Sequence, residues 1–386
     1  MAVADAYARL SPDCRSADRA RMTDETVPVP ALALDGGEPT RTAPWPRPIE
    51  VVPADDPDPV AAFESALAGR LGLPASAVIM CATPAEAHRT VFSILEPGER
   101  NEIVVPDLLA QDAAEAARSL GWTVVPGEVD ADTAALSVRG IARAMGERTA
   151  LAVVRHPFGH PAVMTEIVRL AGDRNVAVLE DITDALGGAF RGADAGRMSQ
   201  AAVFLGRDGD PVTRGAAVIV PDTDTAARLR ASVSAPSKDD ARVALAELRG
   251  LDAALEQRRH LAWELTFRLR GMRGVTPLPH GRWIRHAYSR YVVRLRGLVW
   301  KRSLEDTIAA LRAEGIPCEV ACDAPLHLDA SILETLSGDV RVGDDVCPIA
   351  TRLPGELIAI PLAGDLTSKD MDGVADALRK IESHSL

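Results

Sequence analysis

Two histidines four positions apart, His156 and His160 in the phrase RHPFGHPA, are the first residues whose type and spacing suggest chemistry. An imidazole changes charge near neutral pH and can give or take a proton. Pro157 and Gly159 break any helix between them, so the pair presents no common ligand face, and no metal site is expected. Further on, Asp181 closes the apolar run VAVLED, Asp184 follows it, and Asp208 lies in LGRDGDPVTRG. With Arg155 and Arg207 beside them, these carboxylates make a set able to do general acid–base work on a polar ligand. The same charges could equally do no more than solvate an open cleft. His286 and Tyr288, in HAYSRY, suit structural or substrate-edge roles. A primary amine is scarce: the only lysines are Lys238, Lys301, Lys369 and Lys380, so residues 1–237 contain none.

Those side chains need a scaffold, and the apolar pattern supplies one. Short runs occur at Ala77–Met80, Glu102–Pro106, Thr123–Pro126, Ala150–Arg155, Val176–Asp181, Ala201–Leu205 and Ala216–Val220. They are β-branched and do not alternate with polar residues, which suits strands buried on both faces. Helical patterns between them, such as Pro84–Leu95, Leu109–Leu120, Ser137–Met145 and Met164–Asp173, argue a mostly parallel sheet of seven strands covered by helices on both sides. RHPFGHPA then falls at a strand end, where α/β clefts form. An amphipathic stretch from about Asp239 to Arg270 predicts a long linking helix. Beyond it, YVVRL, Ser303–Glu314, Pro317–Val320, LIAIP and Ser368–Ile381 read as a small α+β domain. The expected divisions are a leader with an opening segment over 1–45, a large α/β domain over 46–255, and a small domain over 256–386.

The chain has 386 residues and a net charge of −12, which disfavours nucleic acid as a partner. No apolar run has membrane-spanning length, and Met1–Val27 lacks a signal-peptide core, so no membrane association and a cytoplasmic location are expected. Cys14, Cys81, Cys318, Cys322 and Cys347 are odd in number and scattered, which suits reduced thiols. Cys318 and Cys322 lack a second matching pair and read as small apolar residues.

The order of several phrases resembles the DegT–DnrJ–StrS family of sugar and aminocyclitol aminotransferases over most of the chain, from about Leu32 onward. LALDGGEPTRTAPWP is similar to the opening of members that aminate cyclitol ketones, and FESALAGRLGL to the first helix. EIVVPDLLAQDAAEAARSLGWTVVPGEVDADT, VVRHPFGHPA, VAVLEDITDALGGAFRGADAGRMSQAAVF, DAPLHL and LIAIPLAGDLTSKDMDGVADAL follow in family order. The resemblance implies the fold-type I architecture, a seven-stranded α/β domain plus a small C-terminal α+β domain. It also implies dimers whose sites are lined by both subunits.

What the resemblance implies for the site is mostly loss. A family lysine forms a Schiff base with pyridoxal phosphate and moves protons at the substrate carbon. It corresponds to the stretch LGRDGDPVTRG, where Asp208 falls at or beside its position; neither Asp208 nor Arg207 makes an imine. The phosphate serine corresponds to about Val203, the stacking aromatic to about Ala110, the glutamine to Asp184 and the histidine to Leu186. The Asn and Arg ahead of the linking helix are not matched in SVSAPSKDD. Asp181 keeps the place facing the pyridine nitrogen and Thr83 a place near the phosphate-binding helix start, although Thr83 also reads as that helix's N-cap. His327 matches a position near the site. No cofactor is therefore expected. The chain is expected to act on a sugar, cyclitol or related intermediate by acid–base chemistry without transaminating. Two other readings stay open: a non-catalytic partner of an active paralogue in a mixed dimer, and an aminotransferase using a displaced lysine.

Overall fold

Runs such as TALAVVR and AAVFL have no polar face, so they are stable as strands only with helices over both sides. The structure, a computed structural model, arranges them that way and describes residues 30–46, 51–279, 281–330, 346–362 and 364–385. The strands of the main sheet are β1 (Val78–Cys81), β2 (Glu102–Pro106), β3 (Thr123–Gly127), β4 (Thr149–Arg155) and β5 (Ala177–Asp181). After two short strands, β6 (Ala189–Phe190) and β7 (Ala193–Asp194), β8 (Ala201–Leu205) and β9 (Ala216–Ile219) complete it. Their order is β1-β9-β8-β5-β4-β2-β3. Only β9 runs against its neighbours, and the other ladders are parallel.

Helices α1 (Pro59–Leu71), α2 (Pro84–Phe92), α3 (Gln111–Ser119), α4 (Val138–Ala144), α5 (Met164–Gly172) and α6 (Thr223–Arg230) flank the sheet. Their starts follow the sequence: Asp58, Thr83, Ser137 and Asp222 each accept a backbone N–H as N-caps. Helix α7 (Lys238–Arg268) is the predicted long helix. Leu245, Leu248, Leu251 and Leu255 lie at three- and four-residue spacing on its buried side and pack into the core that holds Phe63, Leu67 and Phe204. Leu261 and Leu265 carry the same stripe into a second core with Tyr291, Val293, Ile358 and Ile360. Burying each leucine contributes roughly 2 kcal/mol, so this one helix ties the two cores together strongly.

The second core belongs to an antiparallel sheet of β10 (Val275–Pro277), β12 (Arg290–Leu295), β14 (Leu357–Pro361) and β13 (Glu319–Val320), in that order. It is covered by α8 (Leu304–Ala313) and the closing helix Ser368–Ser383. A third, three-stranded sheet has β6 at its centre, paired with β11 (Ile284–Arg285) on one side and β7 on the other. Its strands are two residues long and were not anticipated. Among the described residues, no helix is long and apolar enough to cross a membrane. Cys81, Cys318, Cys322 and Cys347 are free and buried, and Cys14 lies outside the described residues. Burial pushes the Cys81 thiol up to about 12, which makes it unreactive.

Candidate active site

The C-terminal ends of the parallel strands β4 and β5 pair Arg155 with Asp181, and this pairing sets the centre of the site. Arg155 is 5% exposed. Its Nε and Nη2 donate to Asp184 Oδ2 at 3.1 and 2.8 Å, and its Nη1 lies 3.8 Å from Asp181 Oδ2. Nη1 also donates to the carbonyl of Leu109. Burial alone would raise the Asp181 carboxyl, but Arg155, His88 and Arg207 hold it below the usual range, so it stays ionised. One guanidinium therefore neutralises two buried carboxylates through a fork that lysine could not reproduce.

A second ion pair closes the other side. The loop after β8 turns Asp210 inward, 4% exposed, where Oδ1 accepts from Arg290 Nη1 at 3.2 Å. Burial first, and the Asp184 carboxylate second, push Asp210 up to about 7 despite Arg290 and Arg258. At neutral pH this group is poised to hold or release a proton. A cavity of about 430 Å³ opens beside it, with Asp210, Thr213, Glu247, Gln257 and Arg258 in its wall.

Several sequence-predicted residues lie here and others do not. Asp208, expected in the acidic cluster, turns outward instead: its side chain is 86% exposed and sits 3.4 Å from Arg214. Arg207 pairs with Asp112 on α3 at the rim. His156, expected as an acid or base, has both nitrogens committed. Nδ1 accepts the Ala162 N–H at 2.9 Å, which leaves Nε2–H to donate to Glu180 at 3.2 Å. Glu180 also accepts Gly196 N–H, Met198 N–H and the Ser199 hydroxyl, each at 2.8 Å. These bonds, His156's foremost, hold its carboxyl low against the opposing effect of burial. His156 is thus a strut between β4 and the turn after β7. Thr83 caps α2, accepting Glu86 N–H at 3.1 Å. His327 pairs with Asp107 instead of facing Arg155.

His160, His286 and Tyr288 form a buried aromatic wall. The His286 and Tyr288 rings stack at 3.8 Å, and His160 meets His286 edge-on at 5.4 Å. The wall is held by backbone: Ala287 N–H donates to Gly159 O at 2.8 Å, and a Cβ on Gly159 would lie 2.5 Å from Tyr288 N. Only glycine permits that approach. Leu109, whose carbonyl Arg155 holds, and Tyr288, whose carbonyl Arg258 holds, have φ of 63° and 50°. Such left-handed backbone in non-glycine residues concentrates at functional sites. Arg258 donates to the carbonyls of Tyr288, Ser289 and Gly209, and Arg259 to those of His286 and Gly187, so α7 clamps the wall against the main sheet's loops.

Sequence reasoning missed Asp210, Arg258, Arg290 and His88. His88, on α2, is fully buried, and burial pushes its pKa down. Neither of its ring nitrogens has a hydrogen-bond partner among the described residues, nor do Thr183 Oγ1, Asp210 Oδ2 or Ser289 Oγ. Buried polar atoms are nearly always satisfied, so Asp210 Oδ2, unpartnered among the described residues beside the cavity, fits a site that receives a polar ligand.

A family model for the DegT/DnrJ/EryC1/StrS aminotransferase family matches residues 57–232 and 237–379. The 3-amino-5-hydroxybenzoate synthase of Amycolatopsis mediterranei is 28% identical over 298 residues, 71% of this chain and 76% of that protein. The structure of DesI in the presence of its TDP-sugar product superposes with a TM-score of 0.78 at 22% identity, covering 91% of this chain and 96% of that one. The putative sugar aminotransferase Spr1654 of Streptococcus pneumoniae in its PLP-form gives 0.74 at 16% identity, covering 88% and 100%.

These findings overturn the expectation of no cofactor: the homologues and fold neighbours point to pyridoxal phosphate. The residues that would hold it fit unevenly. Asp181, buried and ionised, suits the pyridine nitrogen. The expected phosphate end is crowded by Glu86, whose carboxylate accepts Ala82 N–H and Ser234 N–H, both at 2.8 Å. Pro84, first in α2, has no N–H to give. The loop between β8 and β9, where the resemblance puts the lysine, offers Arg207, Asp208 and Arg214. The nearest lysine in sequence, Lys238, is exposed at the start of α7. Asp181 suits the ring nitrogen, and the loop between β8 and β9 carries no primary amine.

Proposed function

The chain belongs to the DegT/DnrJ/EryC1/StrS aminotransferase family, and from that premise we propose that it receives a sugar- or cyclitol-type polyol in the cavity beside Asp210 without transaminating on its own. Pyridoxal phosphate supplies an electron sink for amine chemistry when bound in such a fold. Here it would rest on Asp181 with no bond from the chain's own lysine. The relatives support a polyol: they include proteins named as L-glutamine:2-deoxy-scyllo-inosose aminotransferase of Streptomyces fradiae and GDP-perosamine synthase of Caulobacter vibrioides.

The observation that carries this reading is Asp210, buried, paired with Arg290 and with Oδ2 unpartnered among the described residues. Held up to about 7, its carboxyl can donate to a ligand hydroxyl and take the proton back. Arg290 fixes the carboxyl's orientation. Arg155 keeps Asp181 ionised and holds Asp184 in place through two bonds to Oδ2. We further read the protein as a dimer.

Calorimetric titration with scyllo-inositol and with UDP-N-acetylglucosamine tests this. One of the two should bind, and Arg290→Ala should weaken it at least ~10-fold, about 1.4 kcal/mol. Failure of both probes, or unchanged affinity in Arg290→Ala, would overturn the polyol reading.

A further inference from the structure

Arg155 and Asp181 lie where β4 and β5 end; a separate cavity of about 510 Å³ opens where the same strands begin. Its wall follows the order of the main sheet. Gln200 directly precedes β8, Val176 precedes β5, Ala150 belongs to β4, Arg100 comes just ahead of β2, and Trp122 precedes β3. Leu95, Trp122, Ala150 and Val176 make much of this wall apolar.

Two N–H groups of these wall residues have no acceptor. Trp122 is 2% exposed, and its indole N–H has no partner among the described residues. The Arg100 Nε–H is buried and unpartnered in the same way. An indole nitrogen and a guanidinium can only donate, so both need an acceptor from elsewhere. The rest of the guanidinium is held by backbone: Nη1 donates to the Asn175 carbonyl at 2.5 Å, and Nη2 to those of Thr149 and, at 3.4 Å, Arg174. Carbonyls fix the group at the start of β4 but carry no charge to set against it. The nearby Glu102 is taken by Arg148, and no carboxylate among the described residues pairs with Arg100. Glu96, the acidic residue of the wall, is exposed, where water and salt screen it.

We propose that this cavity binds a small carboxylic acid with an apolar body, its carboxylate taken by Arg100 and Trp122. Buried donors are nearly always satisfied, and a carboxylate brings two acceptor oxygens and the missing negative charge together. A mostly apolar wall with a few polar groups is what ligand sites ordinarily present, and here it suits a hydrocarbon or aromatic body. A neutral ligand would satisfy the two N–H groups and leave the guanidinium without a counter-charge. The site stands at the opposite ends of β4 and β5 from Arg155 and Asp181, and the inference does not rest on the polyol reading.

Calorimetric titration of the full chain with sodium benzoate to ~10 mM tests this, with benzyl alcohol as the same ring without the charge. Benzoate should bind saturably, at least ~10-fold tighter than benzyl alcohol, the scale of a hydrogen bond to a charged group. Arg100→Gln and Trp122→Phe should each weaken benzoate at least ~10-fold. Gly172, at the end of α5, also lines the cavity, and a Cβ there meets nothing within 4 Å. Gly172→Leu should therefore fold normally, crowd the cavity and abolish binding. Absence of saturable benzoate binding, or equal affinity for benzyl alcohol, overturns the proposal on the unaltered chain, whatever the stability of the variants. So does benzoate affinity unchanged in Arg100→Gln, Trp122→Phe or Gly172→Leu.

Discussion

Arg155→Leu is expected to lower unfolding free energy by ~3–5 kcal/mol, because it strands two buried carboxylates without their cation. Asp181 and Asp184 are 3% and 6% exposed, so water cannot replace the guanidinium. Urea denaturation of the variant should show the midpoint falling with little change in slope. Arg155→Lys should lose less, since the charge remains while the two-bond fork to Asp184 is lost. Adding Asp184→Asn to Arg155→Leu should recover part of the loss, because it removes one stranded charge. If Arg155→Leu is as stable as the parent, the ion cluster is not what organises the site.

The second large effect is on pH. The Asp210 carboxyl is raised from 3.8 in the unfolded chain to about 7 in the fold, chiefly by burial. The folded state therefore holds a proton that the unfolded state has lost across that interval. The contribution of Asp210 to stability therefore falls as pH rises from about 4 to 7, by up to about 4 kcal/mol at 1.36 kcal/mol per pH unit, against the opposite trend of carboxylates held low such as Asp181 and Glu180. Asp210→Asn removes the titration, so it should be the more stable protein at pH 8, with the advantage vanishing toward pH 4. Denaturation curves at pH 4, 6 and 8 check this, and parallel losses in both proteins would contradict it.

Much of the scaffold was legible in the sequence for a simple reason. A strand covered on both faces must be apolar throughout, and the seven runs so identified became the seven strands of the main sheet. The long amphipathic helix and LIAIP followed from periodicity and length in the same way. Strands β6, β7 and β11 have two residues each, too few for any pattern. The site was less legible because its residues are chosen by distant partners. Asp208 and Asp210 share one loop. Which of them turns inward depends on Arg290, 80 residues away. His156 looked like a catalyst because its partner Glu180 reads only as part of a strand. Arg258 belongs to an amphipathic helix, where an arginine ordinarily faces solvent. The cofactor expectation failed for another reason: the losses at the lysine, ring-stacking and phosphate-serine positions were taken together as ending cofactor binding, whereas the homologues and fold neighbours point to pyridoxal phosphate.

The lysine itself decides the matter. The purified chain should be incubated with pyridoxal phosphate, reduced with borohydride, digested and mapped by mass spectrometry. Our account predicts no pyridoxyl group at stoichiometric level on any lysine, whether or not the coenzyme is retained before reduction. A full equivalent of pyridoxyl-modified Lys238 would contradict it and make the protein a transaminase with a relocated anchor.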